Sequence, residues 1–133
     1  MDKMRTKALF NLTQFEKALA TLCEVIEVED ITQIVKDATI QRFEYTYTAA
    51  INTTRLILGY KGISLQFPKE IMAEAFSAGW VSKPEDWNTL IDSRNLMSHI
   101  YSMNQSDRVY NRIVSIYYPL FEELLRNLKG VGI

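Results

Sequence analysis

Apolar residues recur every three or four positions along most of this chain, which is the period of an amphipathic α-helix. The repeat of the first thirty residues runs through Leu12, Phe15, Leu19, Leu22 and Ile26. Only five glycines and three prolines interrupt the pattern over 133 residues. No segment alternates with a period of two between turn residues, and so the sequence predicts an all-α protein.

The glycines and prolines divide the chain into five predicted helices. They cover residues 4–29, 32–58, 68–79, 83–101 and 107–129. The second helix is expected to end at Gly59 or Gly62, because glycine readily adopts the conformation that closes a helix. Two long helices followed by shorter ones are typical of a bundle. The expected architecture is an up-and-down antiparallel four-helix bundle with one additional short helix, in a single domain over residues 1–133.

Local signals define the later helices. Ser82 and Glu85 have the spacing of a capping box, which places the start of the fourth helix near residue 83. Residues 102–106 are polar and predict a turn. Pro119 interrupts the last helix and is expected to kink or split it near Tyr118, because proline donates no backbone hydrogen bond. The last helix carries two apolar stripes, which fits either a central position in the bundle or a dimer surface.

Composition excludes several classes of function. Hydrophobic residues make up 47% and the net charge is −1, which fits a globular domain without a global field that would attract nucleic acid. One cysteine and one histidine cannot form a disulfide or a metal site built from several such ligands, and we expect no metal and no cofactor. The chain has neither an apolar run of membrane-spanning length nor a signal-peptide pattern at its start, which predicts a cytoplasmic protein.

One arginine does not fit a plain bundle. At about 100° per residue, Arg94 falls near the centre of the apolar face of the fourth helix. That face carries Trp87, Leu90, Ile91, Met97 and Tyr101. A guanidinium keeps its charge, and burying it without a partner costs several kcal/mol. Arg94 must therefore form an ion pair, for which Glu44 on the second helix is a candidate partner, or face a wet cleft, or bind an anion.

The single histidine lies five residues after Arg94, about 140° around a straight helix. His99 shares its own face with Asp92 and Asn95, and either of these residues could orient the imidazole. Arg94 and His99 could converge on one ligand only if the helix bends after Met97 or if a two-fold axis brings two copies together. A lone histidine is more often structural than catalytic, which leaves both interpretations open.

The segment Arg94-Asn95-Leu96-Met97-Ser98-His99-Ile100-Tyr101 resembles the Arg-x4-His-x-Tyr signature of HEPN-domain proteins. Specifically, the chain is similar to the toxin of the HEPN/minimal-nucleotidyltransferase toxin–antitoxin pairs, a group also described as nucleotidyltransferase substrate-binding proteins. The segment 37–44 resembles the second-helix pattern of the group. The resemblance covers essentially the whole chain. One departure is that Ser102 and Met103 stand where acidic residues commonly follow the motif tyrosine.

The resemblance implies a homodimeric, metal-independent RNase whose paired motifs line a cleft. In that interpretation His99 is the acid/base, Arg94 holds the phosphate, and Asn95, Ser98 and Asp92 give polar support. RNA would supply its own 2′-OH as the nucleophile, so that cleavage leaves a 2′,3′-cyclic phosphate and a 5′-OH end. The implied partner is a minimal nucleotidyltransferase antitoxin that neutralises the toxin by adding AMP to the motif tyrosine, here Tyr101.

Two other functions remain open from the sequence. The bundle could be a non-catalytic subunit that binds nucleotide or substrate for a two-component nucleotidyltransferase, with Arg94 on a phosphate. It could also be a helical scaffold in which Arg94 is only ion-paired. Nucleotidyl transfer by the chain itself is not expected, because its catalytic core would need strands that bear carboxylates.

Overall fold

Six α-helices and one π-helical turn form the part of the chain that a computed structural model describes, residues 2–96 and 103–133. They are α1 (Asp2–Ile26), α2 (Gln33–Tyr60), α3 (Pro68–Ser77), α4 (Pro84–Leu96), α5 (Met103–Arg112), the π turn (Ile113–Tyr117) and α6 (Tyr118–Lys129). No strand occurs in these two ranges, and the predicted all-α bundle is confirmed. The end of the predicted fourth helix, residues 97–101, lies outside the described residues.

The two long helices form an antiparallel pair. Thr53 near the end of α2 donates a hydrogen bond to the carbonyl of Asn11 (2.9 Å), whereas Arg42 nearer its start donates to the carbonyl of Thr21 (2.7 Å). α1 ends at Ile26, three residues earlier than predicted, because the chain reverses direction before the Thr32 hydroxyl caps α2. α2 ends at Tyr60, as the glycines beside it suggested.

Aromatic rings from five helical segments meet at the centre of the bundle. The ring of Phe43 on α2 lies 5.5 Å from that of Tyr117 and 5.6 Å from that of Phe121. Trp87 on α4 packs against the same Phe121 at 5.8 Å, and Phe15 on α1 does so at 6.4 Å. Ring pairs at these separations add about 0.5–1.5 kcal/mol to the burial of their area. The cluster therefore fixes α4 against α2, which positions Arg94.

The capping box predicted at the start of α4 is wrong. Ser82 donates both its backbone N–H (3.0 Å) and its hydroxyl (2.6 Å) to the carboxylate of Glu123 on α6. From the sequence alone the adjacent acids Glu122 and Glu123 are expected on a solvated face, and the hydrogen bonds from Ser82 correct this expectation for Glu123. The Glu123 carboxylate holds the α3–α4 connection on α6, because both hydrogen bonds that it accepts are charge-assisted.

We expect Glu123→Ala to lower the free energy of unfolding by about 1–2 kcal/mol, since it removes two charge-assisted hydrogen bonds at a half-exposed position. Glu85→Ala should cost only about 0.5 kcal/mol, the worth of a carboxylate in the first turn of a helix. Urea denaturation of both variants measures the difference. A larger loss of stability for Glu85→Ala than for Glu123→Ala would indicate that Ser82 and Glu85 form the capping box after all.

α5 begins at Met103, although the sequence predicted a turn through residue 106. Ser106 is buried, and its hydroxyl accepts a hydrogen bond from the side chain of Gln33 at the start of α2 (3.3 Å). In the next position Asp107 forms an ion pair with Lys36 of α2 at 2.6 Å. Contacts across the bundle therefore extend this helix over residues whose local chemistry favours a turn.

The split at Pro119 is confirmed, and it takes the form of a π turn. The backbone N–H of Tyr118 donates to the carbonyl of Ile113, five residues back, where an α-helix would reach four. Pro119 has no N–H to offer, so the ladder is already broken at this point. Ile113, Tyr117, Leu120 and Phe121 are all buried. Both apolar stripes of the last helix therefore contribute to the core, although Ile116 of the first stripe is 40% exposed.

Candidate functional site

α4 buries the face that the sequence predicted. Trp87, Leu90 and Ile91 are each no more than 2% exposed. Arg94 lies one turn further along the same side and is half-buried. The helix carries few other apolar residues, and so its position depends on these three side chains and on the aromatic cluster. Arg94 thus occupies the border between the core and the surface.

The Arg94 guanidinium lies over the ring of Tyr47 on α2, with its central carbon 5.3 Å from the ring centroid. This is the geometry of a cation–π contact. The Nε of Arg94 is buried and has no hydrogen-bond partner among the described residues. In the same part of the chain no carboxylate forms an ion pair with Arg94. The ion pair with Glu44 that the sequence left open is therefore not formed.

Tyr47 contributes an aromatic face but no negative charge. The residue is 5% exposed, and this burial raises the pKa of its phenol above the usual 10.0. The neighbouring Arg94 charge lowers the pKa, but burial is the larger effect. The phenol therefore stays protonated at physiological pH, and the positive charge of Arg94 is not neutralised by this neighbour.

A second contact, a hydrogen bond from the π turn, fixes α4 next to Arg94. The hydroxyl of Tyr117, in the π turn, is 2.8 Å from the hydroxyl of Ser93 and donates a hydrogen bond to it. Tyr117 is itself packed against Phe43. The backbone beside Arg94 is thus fixed by the hydrogen bond from Tyr117, while the Arg94 side chain is fixed by its contact with Tyr47 of α2.

The other predicted site residues differ in what the structure places around them. Asp92 forms an ion pair with Lys69 of α3 at 2.8 Å, and Asn95 is exposed. Arg94 instead contacts α2, so the structure does not bring Asp92 and Arg94 together. Ser98, His99 and Tyr101 lie outside the described residues.

Sequence reasoning missed Tyr47 as a neighbour of Arg94. Tyr47 lies four residues after Phe43, on the face of α2 that packs into the core. An aromatic residue at this helical spacing was the available signal. Pairing it with Arg94 required the relative position of α2 and α4, which no local pattern encodes.

The described residues offer neither a metal centre nor a membrane span. Residues 2–96 and 103–133 contain no group of three or more His, Cys, Asp or Glu side chains that could hold a metal ion. Within them, every helix falls short of the combined length and apolar character that crossing a bilayer requires.

Comparison with known proteins identifies the family. The family described as "nucleotidyltransferase substrate binding protein like" matches residues 10–130. The fold is similar to the crystal structure of a protein from Thermus thermophilus, with a TM-score of 0.79 and 31% identity over 86% of this chain and 98% of that one. No curated protein matches. The chain belongs to the nucleotidyltransferase substrate-binding protein-like family.

Proposed function

We propose that this chain is a non-catalytic binding subunit that acts together with a nucleotidyltransferase and holds a phosphate group of the nucleotide or the substrate with Arg94. The family supports an association with a nucleotidyltransferase partner. The observation that carries the phosphate assignment is the Arg94 cation, which no carboxylate of the described residues pairs with.

A guanidinium suits this role because it cannot lose its proton and presents several N–H donors in one plane. Arginine and phosphate form short, charge-assisted and often bidentate hydrogen bonds. A half-buried position strengthens such contacts, since water screens them less than it would at a fully exposed site. Anion binding would also repay the cost of keeping this cation at the border of an apolar core.

Isothermal titration calorimetry tests this function. ATP would be titrated into the chain alone and into its mixture with the cognate nucleotidyltransferase. We expect a heat of binding that Arg94→Met removes from the chain, or a higher ATP affinity of the mixture than of the nucleotidyltransferase alone. Absence of both effects would contradict the proposal.

The motif spacing favours a second candidate, the RNase toxin. Arg94 would hold the scissile phosphate and His99 would move the proton, with RNA supplying the 2′-OH nucleophile. In this case two copies of the chain would form the cleft, with Asn95, Ser98 and Asp92 as polar support. The nucleotidyltransferase would neutralise the toxin by adding AMP to Tyr101.

Growth under tightly controlled expression separates the two candidates. A toxin predicts that the unaltered chain stops growth and that His99→Ala does not. Equal growth from both strains would exclude the RNase and leave the binding subunit.

A further inference from the structure

We propose that Tyr47 is the positioning residue of this site: its ring holds the Arg94 guanidinium in one place while leaving the positive charge available to a phosphate. The inference rests on the proposed function, since it gives Tyr47 a part in anion binding. It adds to the site a residue from α2 that lies outside the motif and makes no direct contact with the ligand.

The packing around Tyr47 fixes the position of the ring that Arg94 contacts. Only 5% of it is exposed, and its ring lies 6.5 Å from that of Phe43, which itself packs in the aromatic cluster. An unrestrained arginine side chain samples many rotamers, and each must be given up when a ligand binds. A guanidinium already seated on a fixed ring has lost much of this freedom beforehand, which favours binding.

The ring also suits the task better than a carboxylate would. A carboxylate would orient Arg94 equally well, but it would neutralise the charge and compete with an incoming phosphate. A neutral aromatic face attracts the cation through its quadrupole without cancelling that charge. Burial raises the pKa of the Tyr47 phenol, so the ring stays neutral over the physiological pH range.

The described residues offer Arg94 little else. Its Nε is buried without a hydrogen-bond partner among them, and none of their carboxylates pairs with it. The contact with Tyr47, at 5.3 Å from guanidinium carbon to ring centroid, is therefore the interaction that orients the charged group within this part of the chain.

The test compares three variants of the full chain by ATP titration. Tyr47→Phe keeps the ring and should change the Kd for ATP less than twofold. Tyr47→Leu removes the ring and should weaken binding by about 3- to 30-fold, the range expected for a partly desolvated cation–π contact. Tyr45→Leu is the matched control, because it makes the same substitution on α2 at a ring that is 42% exposed and makes no cation–π contact with Arg94. Its Kd should remain within twofold.

A second measurement does not depend on the ligand. The Arg94 Nε–H proton should show a ring-current shift in the NMR spectrum that persists in Tyr47→Phe and disappears in Tyr47→Leu. The positioning role is overturned if Tyr47→Leu binds ATP as tightly as the unaltered chain, if Tyr45→Leu weakens binding as much as Tyr47→Leu, or if the shift survives loss of the ring. An unaltered chain that shows the shift but gives no ATP binding, alone or with its partner, would contradict the proposed function while leaving the Tyr47–Arg94 contact established.

Discussion

Phe43→Ala should lower the free energy of unfolding by about 3–5 kcal/mol, the usual cost of truncating a fully buried phenylalanine. Phe43 has no exposed surface, and its ring faces the rings of Tyr47, Tyr117 and Phe121. The substitution leaves a cavity at the point where α2, the π turn and α6 meet. Since single domains are stable by about 5–15 kcal/mol in total, this one change should remove a large part of the stability.

Thermal and urea denaturation followed by circular dichroism measure this loss, and we expect the Tm to fall by about 10–20 °C. Phe10→Ala is the matched control because Phe10 is 62% exposed on α1. Its effect should stay within about 0.5 kcal/mol, as for most surface substitutions. A loss below about 1 kcal/mol for Phe43→Ala would mean that the aromatic cluster is not the centre of the fold.

The helical segments could be predicted because their information is local. The apolar period, the glycines after α2 and α3, and Pro119 each act within a few residues of the structure they determine. The burial of Trp87, Leu90 and Ile91 follows from the same period, and it places Arg94 at the core border without any knowledge of the partners of α4.

Contacts between distant segments could not be predicted in this way. Ser82 offered a plausible local partner in Glu85, but a carboxylate on α6 accepts its hydrogen bonds. The predicted start of α5 was wrong for a related reason, since Ser106 and Asp107 are held by side chains of α2. In both cases a local signal of modest free energy was overruled by tertiary contacts of similar or greater strength.

At the candidate site, too, the local pattern could be predicted but the contact between helices could not. Periodicity indicated that Arg94 needed a partner, a wet cleft or an anion, and Glu44 was the candidate partner because an opposite charge is the usual solution for a buried cation. The structure places the ring of Tyr47 there instead. Charge complementarity can be read from composition, whereas a cation–π contact depends on the angle at which one helix presents a ring to another.

Arg94→Met should separate ligand binding from stability. We expect ATP binding to weaken by about 10- to 150-fold, since charge-assisted hydrogen bonds contribute about 1.5–3 kcal/mol. The free energy of unfolding should change by less than about 1 kcal/mol for two reasons. No carboxylate of the described residues forms an ion pair with Arg94 that would offset the free-energy cost of its desolvation. In addition, a methionine sulfur can pack on the Tyr47 ring where the guanidinium lies. Calorimetry and urea denaturation measure the two effects, with Arg126→Met on α6 as the exposed control that should alter neither. A loss of stability above about 3 kcal/mol would instead indicate a buried ion pair and a purely structural arginine, since that is the cost of removing one partner of such a pair.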